Sequence, residues 1–147
     1  MTLRPATTAD VDFFFALHKQ ALGPYVDAVW GWDDDVQRAY LHRTLDLTRA
    51  RVIVADGVDV GRLDVEEHPD EVFLALIELT AEHQSHGIGR LLIQMLLADA
   101  SANGKRVRLS VLEVNMRAYQ LYRRLGFVEV SREGVAPEVR VTMVAQP

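Results

Sequence analysis

The spacing of apolar residues along the chain predicts four helices and seven strands. Apolar positions three and four residues apart, the period of an amphipathic helix, define helical segments over residues 7–22, 33–47, 87–102 and 116–125. Alternating apolar and polar positions, or short runs rich in branched apolar residues, define strands over residues 2–4, 51–55, 58–66, 71–80, 106–112, 127–131 and 139–144. Residues 21–32 are expected to form a loop. This order of elements indicates a mixed α/β (α+β) fold.

The same pattern predicts helix boundaries and faces. Thr7 or Thr8 is expected to cap the first helix, and the pair Asn103-Gly104 is expected to end the third. The predicted face of the second helix comprises Val36, Ala39, Tyr40, Arg43 and Leu47. The predicted face of the third comprises Ile88, Leu91, Leu92, Met95 and Leu96. Stripes of this kind normally face the core.

Residues 71–112 contain a strand, a helix and a strand in succession, which is the order of a crossover unit. Such units are right-handed and place their two strands side by side and parallel. In open α/β sheets, ligands bind at the carboxyl ends of the strands. We therefore expect a binding site in the segment that follows the first of these strands.

That segment, residues 84–90, has the sequence Gln-Ser-His-Gly-Ile-Gly-Arg and leads directly into the third helix. A glycine-bearing turn at a helix start directs unpaired N–H groups and the positive end of the helix dipole at one point. The turn therefore predicts a phosphate site. Gly87 and Gly89 are too close together for a Walker loop, and Leu92 replaces the third glycine of a dinucleotide fingerprint. The spacing thus argues against ATP and NAD.

Composition narrows the class of protein. With 147 residues, 49% of them hydrophobic, the chain fits one domain with a core, and no apolar stretch is long enough to span a bilayer. Its first residues lack the features of a signal peptide. There is no cysteine for a disulfide, a thiolate metal site or a catalytic thiol. We expect a single cytoplasmic domain over residues 1–147 without membrane association.

The net charge of −5 is distributed unevenly. Residues 1–82 carry 16 acidic and 7 basic side chains, whereas residues 83–147 carry 5 acidic and 9 basic ones. This polarity suits an anionic cofactor over the second part and a cationic acceptor near the first, although solvated surface would give the same counts. No basic face with interleaved aromatic residues indicates nucleic acid. The histidines have no metal-ligand spacing, so no metal is expected.

Two motifs together carry a resemblance to a known family. The first is Gln84-x-x-Gly87-x-Gly89, and the second is Asn115-x-x-Ala118-x-x-x-Tyr122-x-x-Leu125-Gly126-Phe127. In order and spacing they resemble the acetyl-CoA signature of the GCN5-related N-acetyltransferase (GNAT) superfamily. The opening Leu3-Arg4-Pro5-Ala6-Thr7, followed by Asp10, is similar to that of bacterial members. The resemblance implies the GNAT fold, a mixed, mostly antiparallel sheet of six to seven strands with four helices, splayed between strands 4 and 5.

The resemblance also implies acetyl-CoA as the acyl donor. Its pyrophosphate would be bound by main-chain N–H groups of the turn, namely those of Gln84, Ser85, His86, Gly87, Ile88, Gly89 and Arg90. Its pantetheine arm would lie along the fourth strand and bind main-chain groups that the splay leaves unpaired, namely those of Leu79, Thr80 and Ala81. Asn115 would bind the arm from the other side, and it is equally placed to cap the fourth helix.

The reaction implied is the direct transfer of an acetyl group to a primary amine of a small molecule or peptide, through a tetrahedral intermediate. The N–H of Leu79 would stabilise charge on the thioester oxygen. Tyr122 would protonate the leaving thiolate, with core packing as its alternative role. Candidates for the base are Glu78 first, directly or through water, and then Glu113 or His83. Glu78 could instead pair with an arginine or face solvent.

Acceptor choice is expected to involve Tyr25, Trp30 and Trp32, which lie among aspartates and suit a cation, together with Glu113. Alternatively, a tryptophan anchors the loop and the aspartates begin the second helix. Two other functions stay open: a non-catalytic acyl-CoA sensor or interaction module, and a transferase with another acyl group or a hydroxyl acceptor. The strand at residues 139–144 is expected at the sheet edge, where it could pair with a second copy to form a homodimer.

Overall fold

The computed structural model describes every residue from Met1 to Pro147. The strands are β1 Thr2–Pro5, β2 Ala50–Ala55, β3 Val58–Glu67, β4 Glu71–Leu79, β5 Arg106–Leu112, β6 Val128–Glu133 and β7 Arg140–Ala145. The helices are α1 Val11–Trp30, α2 Asp34–Thr44, α3 Ile88–Ala102 and α4 Met116–Arg124. Short 3-10 turns occupy Thr8–Asp10 and Ala81–His83. All seven strands lie where the apolar alternation predicts them.

The seven strands form one sheet in the order β1-β2-β3-β4-β5-β7-β6. The pairs β1/β2, β2/β3, β5/β7 and β6/β7 are antiparallel, whereas β4 and β5 are parallel. The parallel pairing joins residues 71–74 to residues 106–109 and stops before either strand ends, which is the splay that the resemblance implies. The prediction of a mixed, mostly antiparallel sheet with one parallel crossover is confirmed.

The final hairpin has the opposite arrangement to the one expected. β7 lies between β5 and β6, so the prediction that residues 139–144 form a sheet edge is wrong. Val141 and Val144 of β7 are both buried although they face opposite sides of the strand, as expected for an interior strand. β6, where Val128 is exposed, is the edge strand at this end of the sheet.

Helix α1 continues to Trp30, so the prediction of a loop over residues 21–32 is wrong. Pro24 lies inside the helix, although it has no N–H to donate to the preceding turn. Val26 is buried on the same helical segment, and burial of its side chain helps to offset the cost of the proline. Gly31, with a φ of 77°, ends the helix.

The buried faces of α2 and α3 differ from the predicted stripes. In α2, Leu41 is buried, while Val36 and Tyr40 are 62% and 48% exposed. The buried residues of α3 are Leu92, Ile93 and Ala100, and its exposed apolar residues are Leu91 and Met95. Consecutive residues on a helix point in directions about 100° apart, so two stripes offset by one residue face different sides. Single apolar residues are also common on surfaces. Spacing alone therefore does not identify the inward stripe.

The chain divides into two compact units, residues 1–64 with 76–86 and residues 65–75 with 87–147. Each unit has its own buried apolar residues. Those of the first include Phe14, Leu17, Val52, Ile53 and Val60. Those of the second include Ile93, Val107, Leu109, Phe127, Val141 and Met143. None of the helices combines the length and apolar character needed to cross a membrane.

An ion pair between the half-exposed Arg4 and the buried Asp10 lies at the entry to α1. Asp10 is 7% exposed and accepts hydrogen bonds from Nη2 of Arg4 at 2.7 Å and from Nη1 at 3.0 Å. Asp10 also accepts the N–H of Thr7, and Oγ1 of Thr7 accepts the N–H of Ala9, which completes a capping box. The hydrogen bonds from Arg4 hold the pKa of Asp10 below its ordinary value.

Asp10→Asn is expected to lower the free energy of unfolding by about 2 kcal/mol at pH 7, because the ion pair and part of the cap are lost. A carboxyl whose pKa is lowered by folding stabilises the protein above its unfolded pKa, which is about 4. That stabilisation is lost as the pH falls through the folded pKa. Denaturant titrations should therefore show a smaller difference between the variant and the wild type at pH 3 than at pH 7.

The matched control is Asp12→Asn, which removes an exposed carboxylate that contacts Arg38 at 3.2 Å. Exposed pairs of this kind contribute little, so the control should change the free energy of unfolding by less than about 0.5 kcal/mol. Equal losses in the two variants would contradict the structural role assigned to Asp10.

Candidate active site

The end of β4 is held close to β3. A Cβ atom added to Gly61 of β3 would lie 2.3 Å from the main-chain oxygen of Glu78, so a side chain does not fit there. The N–H of Thr80 donates to the carbonyl of Val60 at 2.9 Å. Successive N–H groups along an extended strand point to opposite sides. The N–H of Leu79 therefore points away from β3.

Of the three residues expected to offer unpaired main-chain groups, two have N–H groups that are already bonded, and Leu79 has the N–H that points away from β3. The N–H of Thr80 is bound to β3, and that of Ala81 donates to Oε1 of Gln20 in α1 at 2.9 Å. The expectation of open N–H groups at Thr80 and Ala81 is therefore wrong. The carbonyl of Leu79 accepts a hydrogen bond from Nε2 of Gln84 at 3.0 Å, which fixes the end of the strand.

The turn after β4 uses two of its own N–H groups. Those of His83 and Gln84 donate to the carbonyl of Thr80 at 2.9 and 3.1 Å. Nδ1 of His83 also lies 2.8 Å from Oγ1 of Thr80. Because the N–H of Gln84 is engaged inside the turn, the expectation that it binds a phosphate is wrong, and its side chain supports Leu79 instead. Ser85 then takes a left-handed φ of 66°, which is uncommon for serine.

The start of α3 is a helix N-terminus without a side-chain cap. Gly87 is the N-cap residue, and the first intrahelical bond runs from the N–H of Leu91 to its carbonyl at 2.9 Å. The three N–H groups before Leu91, those of Ile88, Gly89 and Arg90, have no acceptor within the helix. No acidic side chain lies in the first turn. This arrangement fits an anion.

Gly87 is required by its backbone conformation. A Cβ atom added there would meet nothing of the chain within 4 Å, but the φ of 80° strains any other L residue. Gly57, in the turn between β2 and β3, has a φ of 75° and equally open surroundings. Both glycines are therefore required for the same reason, a positive φ, although they lie in different turns. His86 is exposed beside this turn.

Glu78 is buried against a histidine of α1. Its side chain has no exposed area, and its Oε2 lies 2.7 Å from Nδ1 of His18. Its Oε1 is buried without a hydrogen-bond partner. The alternatives of an arginine partner and of a solvent-facing side chain are therefore both wrong. The two residues are 60 positions apart, so no local pattern in the sequence signals their contact.

In the second unit, α4 carries the two motif residues expected at the coenzyme arm. The side-chain oxygen of Asn115 accepts the N–H of Ala118 at 3.3 Å and so caps α4. Tyr122 packs edge-on against Phe127 with ring centres 5.7 Å apart. Burial raises the pKa of Tyr122 to about 12. The phenol therefore carries its proton at neutral pH, which an acid requires.

Glu113 is paired with a cation. Its carboxylate contacts Nη1 of Arg132, whose Nη2 also binds Glu129 at 3.0 Å. Tyr119 donates to the same Glu129 at 2.8 Å. The pairing compensates the charge of Glu113 and makes it a weaker candidate for a base than its position in the sequence suggests. Nowhere in the chain do three histidine or acidic side chains cluster to hold a metal ion.

The aromatic and acidic residues near the end of α1 largely bind one another. Nε1 of Trp32 donates to Oδ1 of Asp34 at 2.6 Å, and Nζ of Lys19 binds the same oxygen at 2.8 Å. These hydrogen bonds, that of Lys19 first, lower the pKa of Asp34. Tyr25 is half-buried, and Trp30 is 46% exposed. The internal pairing favours the anchoring role of Trp32 over a free acidic cradle for a cation.

Comparisons with known proteins agree with these features. A family model described as an acetyltransferase (GNAT) domain matches residues 48–129, more than half of the chain. A search of curated proteins finds no match. Solved structures match over almost the whole chain, at identities low enough that the likeness concerns the fold alone.

Three solved structures illustrate the likeness. The ribosomal-protein-S18-alanine N-acetyltransferase of Escherichia coli is 19% identical with a TM-score of 0.70, and the match covers 99% of this chain and 92% of that one. The PaiA N-acetyltransferase of Thermoplasma acidophilum, solved with coenzyme A, is 13% identical with a TM-score of 0.73 and coverages of 99% and 98%. YncA of Salmonella typhimurium, solved with acetyl-CoA, is 22% identical with a TM-score of 0.65 and coverages of 99% and 93%.

The two-motif resemblance and the fold that it implies are thereby confirmed. The matched region contains both motifs, at residues 84–89 and 115–127. The chain belongs to the GNAT acetyltransferase family.

Proposed function

We propose that residues 1–147 act as one N-acetyltransferase domain, which moves an acetyl group from acetyl-CoA to a primary amine. The observation that carries the proposal is the start of α3, where three N–H groups lack a helical acceptor and no side chain caps the helix. Such a terminus, entered through a left-handed glycine, suits a pyrophosphate. Family membership supports coenzyme A as the source of that pyrophosphate, as do the neighbours solved with coenzyme A and acetyl-CoA.

The proposal assigns each coenzyme contact to a main-chain or amide group. The N–H groups at residues 88–90 are assigned to the pyrophosphate, with Gly87 giving the turn its shape. In the first unit, the N–H of Leu79 is assigned to the acetyl carbonyl oxygen, because it points away from β3 and has no partner there. In the second unit, Asn115 caps α4 with its oxygen, and its side-chain nitrogen is assigned to the pantetheine arm.

The proposed reaction forms a C–N bond and breaks a C–S bond. The acceptor must first lose a proton, because alkyl ammonium groups have a pKa of about 10 and are mostly protonated at neutral pH. The amine nitrogen then attacks the carbonyl carbon, and the N–H of Leu79 stabilises the negative charge that develops on the oxygen. The sulfur leaves, and Tyr122, whose pKa is raised by burial, supplies a proton to it.

The amine of a peptide or small molecule is the proposed acceptor class. The E. coli neighbour is an N-acetyltransferase for an alanine of ribosomal protein S18, so peptides with a free N-terminal alanine are a sensible first acceptor. Polyamines, aminoglycosides and amino acids represent the small-molecule acceptors. The acidic balance of residues 1–82 supports a cationic acceptor of either kind.

Incubation of the protein with acetyl-CoA and these amines should release free coenzyme A. The chain contains no cysteine, so a thiol reagent reports released coenzyme A without a background from the protein. Acetyl-CoA binding without thiol release from any acceptor would contradict the transferase and indicate a non-catalytic acyl-CoA sensor. Release only with longer acyl thioesters, or only with hydroxyl acceptors, would indicate the other kind of transferase.

Gly87→Ala should weaken acetyl-CoA binding at least about tenfold, because a Cβ atom at a φ of 80° forces the turn to change shape. Gly57→Ala is the matched control, since it places the same strain at a φ of 75° in a distant turn of the sequence. Both variants should lose about 1 kcal/mol of stability, but only Gly87→Ala should lose affinity in a calorimetric titration. Equal affinities would remove the start of α3 from the coenzyme site.

Tyr122→Phe should lower kcat about 100-fold and leave the dissociation constant of acetyl-CoA almost unchanged, because the proton donor is lost and the ring is kept. Folding raises the pKa of Tyr122 from about 10 to about 12, so the unfolded chain loses this proton first as the pH rises. Wild-type stability should therefore fall between pH 10 and 12 more than that of the variant. The exposed Tyr40→Phe is the control, and an unchanged kcat in Tyr122→Phe would exclude the acid role.

A further inference from the structure

The buried carboxylate of Glu78 and the imidazole of His18 form a pair with unequal access to solvent. The Glu78 side chain is 0% exposed, whereas the His18 side chain is 21% exposed. A carboxylate without exposed surface does not reach an acceptor amine or a bulk water molecule. Of the two members of the pair, the imidazole is the one that can meet a ligand.

The contact also fixes which nitrogen of the imidazole is open. Nδ1 lies 2.7 Å from Oε2 of Glu78, and an ionised carboxylate only accepts hydrogen bonds. When Glu78 is ionised, Nδ1 donates its proton to the carboxylate, and in the neutral ring Nε2 then carries the free lone pair. A carboxylate in this position also stabilises the imidazolium that forms when Nε2 takes a proton, as in the histidine and aspartate of catalytic triads.

The cost of burying Glu78 argues against a purely structural pair. A buried carboxylate is unfavourable unless its oxygens are satisfied, and Oε1 of Glu78 has no partner. Buried polar atoms without a partner are rare and call for an explanation such as a functional role. A carboxylate whose second oxygen has no hydrogen-bond donor is suited to stabilising a positive charge on the neighbouring imidazole.

Trp32 and its partners complete the surroundings of His18. The Trp32 ring lies 5.9 Å from the His18 ring at 42°, which restricts the orientation of the imidazole. The other charges near Trp32 are Lys19 of α1 and Asp34 of α2, which pair with each other at 2.8 Å, and Asp27 of α1, which accepts the N–H of Trp32 at 2.9 Å. The charges of Lys19 and Asp34 compensate one another, and Asp27 binds Trp32, so Glu78 of β4 is the carboxylate bonded to His18.

We infer that His18 is the general base of the proposed acetyl transfer and that Glu78 is its positioning residue, an inference that rests on the proposed function. Nε2 of His18 takes one proton from the acceptor ammonium, which frees the nitrogen lone pair. The nitrogen then forms the C–N bond, the C–S bond breaks, and the second proton lost by the nitrogen is balanced by the proton gained at the sulfur. His18 finally releases its proton to water.

The kinetic test compares His18→Gln and Glu78→Gln with the wild type, using the panel amine that gives the fastest thiol release. His18→Gln should lower kcat/KM about 100-fold or more without changing the affinity for acetyl-CoA. It should also change the pH dependence of kcat/KM, because a general base acts only in its unprotonated form. Glu78→Gln should lower kcat/KM about tenfold, because the imidazole loses the carboxylate that holds its orientation.

His42→Gln is the matched control, because His42 is an exposed histidine of α2. Its rate and pH profile should equal those of the wild type. A wild-type pH profile and rate in His18→Gln would overturn the inference about the base while leaving the acetyl transfer intact. Absence of thiol release by the wild-type protein would instead contradict the proposed function, so the two failures are distinguishable.

A second measurement does not depend on activity. Nitrogen-15 NMR of the histidine side chains should show His18 in the tautomer with the proton on Nδ1, and this preference should weaken in Glu78→Gln. The exposed His42 again serves as the reference within the same spectrum. A proton on Nε2 of His18 in the neutral ring would overturn the inference, because the nitrogen assigned to the acceptor would then have no free lone pair.

Discussion

The close approach of β3 to β4 at Gly61 is the constraint on which the candidate site depends. A side chain at position 61 would collide with the main-chain oxygen of Glu78, so only glycine permits this approach. The N–H of Thr80 then binds β3, which turns the N–H of Leu79 to the opposite side. The same backbone places the Glu78 side chain against His18. This glycine thus permits the strand pairing that orients both the main-chain donor and the buried carboxylate.

Most of the fold could be predicted because strands and capped helices are local features. Period-two alternation located every strand, and the start of α3 followed from a glycine turn in front of an apolar run. The second half of α1 could not be predicted, because Pro24 disfavours a helix locally while burial of Val26 favours it through tertiary contacts. The edge position of β6 was also missed, since the order of strands in a hairpin depends on long-range pairing.

The residues of the candidate site also fall into two groups, those that local sequence identifies and those that only long-range contacts identify. Gly87, Asn115 and Tyr122 could be identified because each belongs to a motif with fixed spacing. The partners that decide which groups are open come from distant parts of the chain. Gln20 takes the N–H of Ala81 from 61 positions away, and His18 meets Glu78 from 60 positions away. Spacing in the sequence contains no information about such contacts, so the number of open N–H groups was overestimated and the role of His18 was missed.

We propose that the main chain at the end of β4 offers one donor, the N–H of Leu79, to an acyl-CoA. Amide hydrogen exchange at single residues tests it most directly, because Thr80, the next residue, is bonded to Val60 and is an internal reference. We expect the Leu79 amide to exchange much faster than the Thr80 amide in the free protein and to become protected when acetyl-CoA is added. Equal protection of the two amides without ligand, or no change at Leu79 with acetyl-CoA, would contradict it.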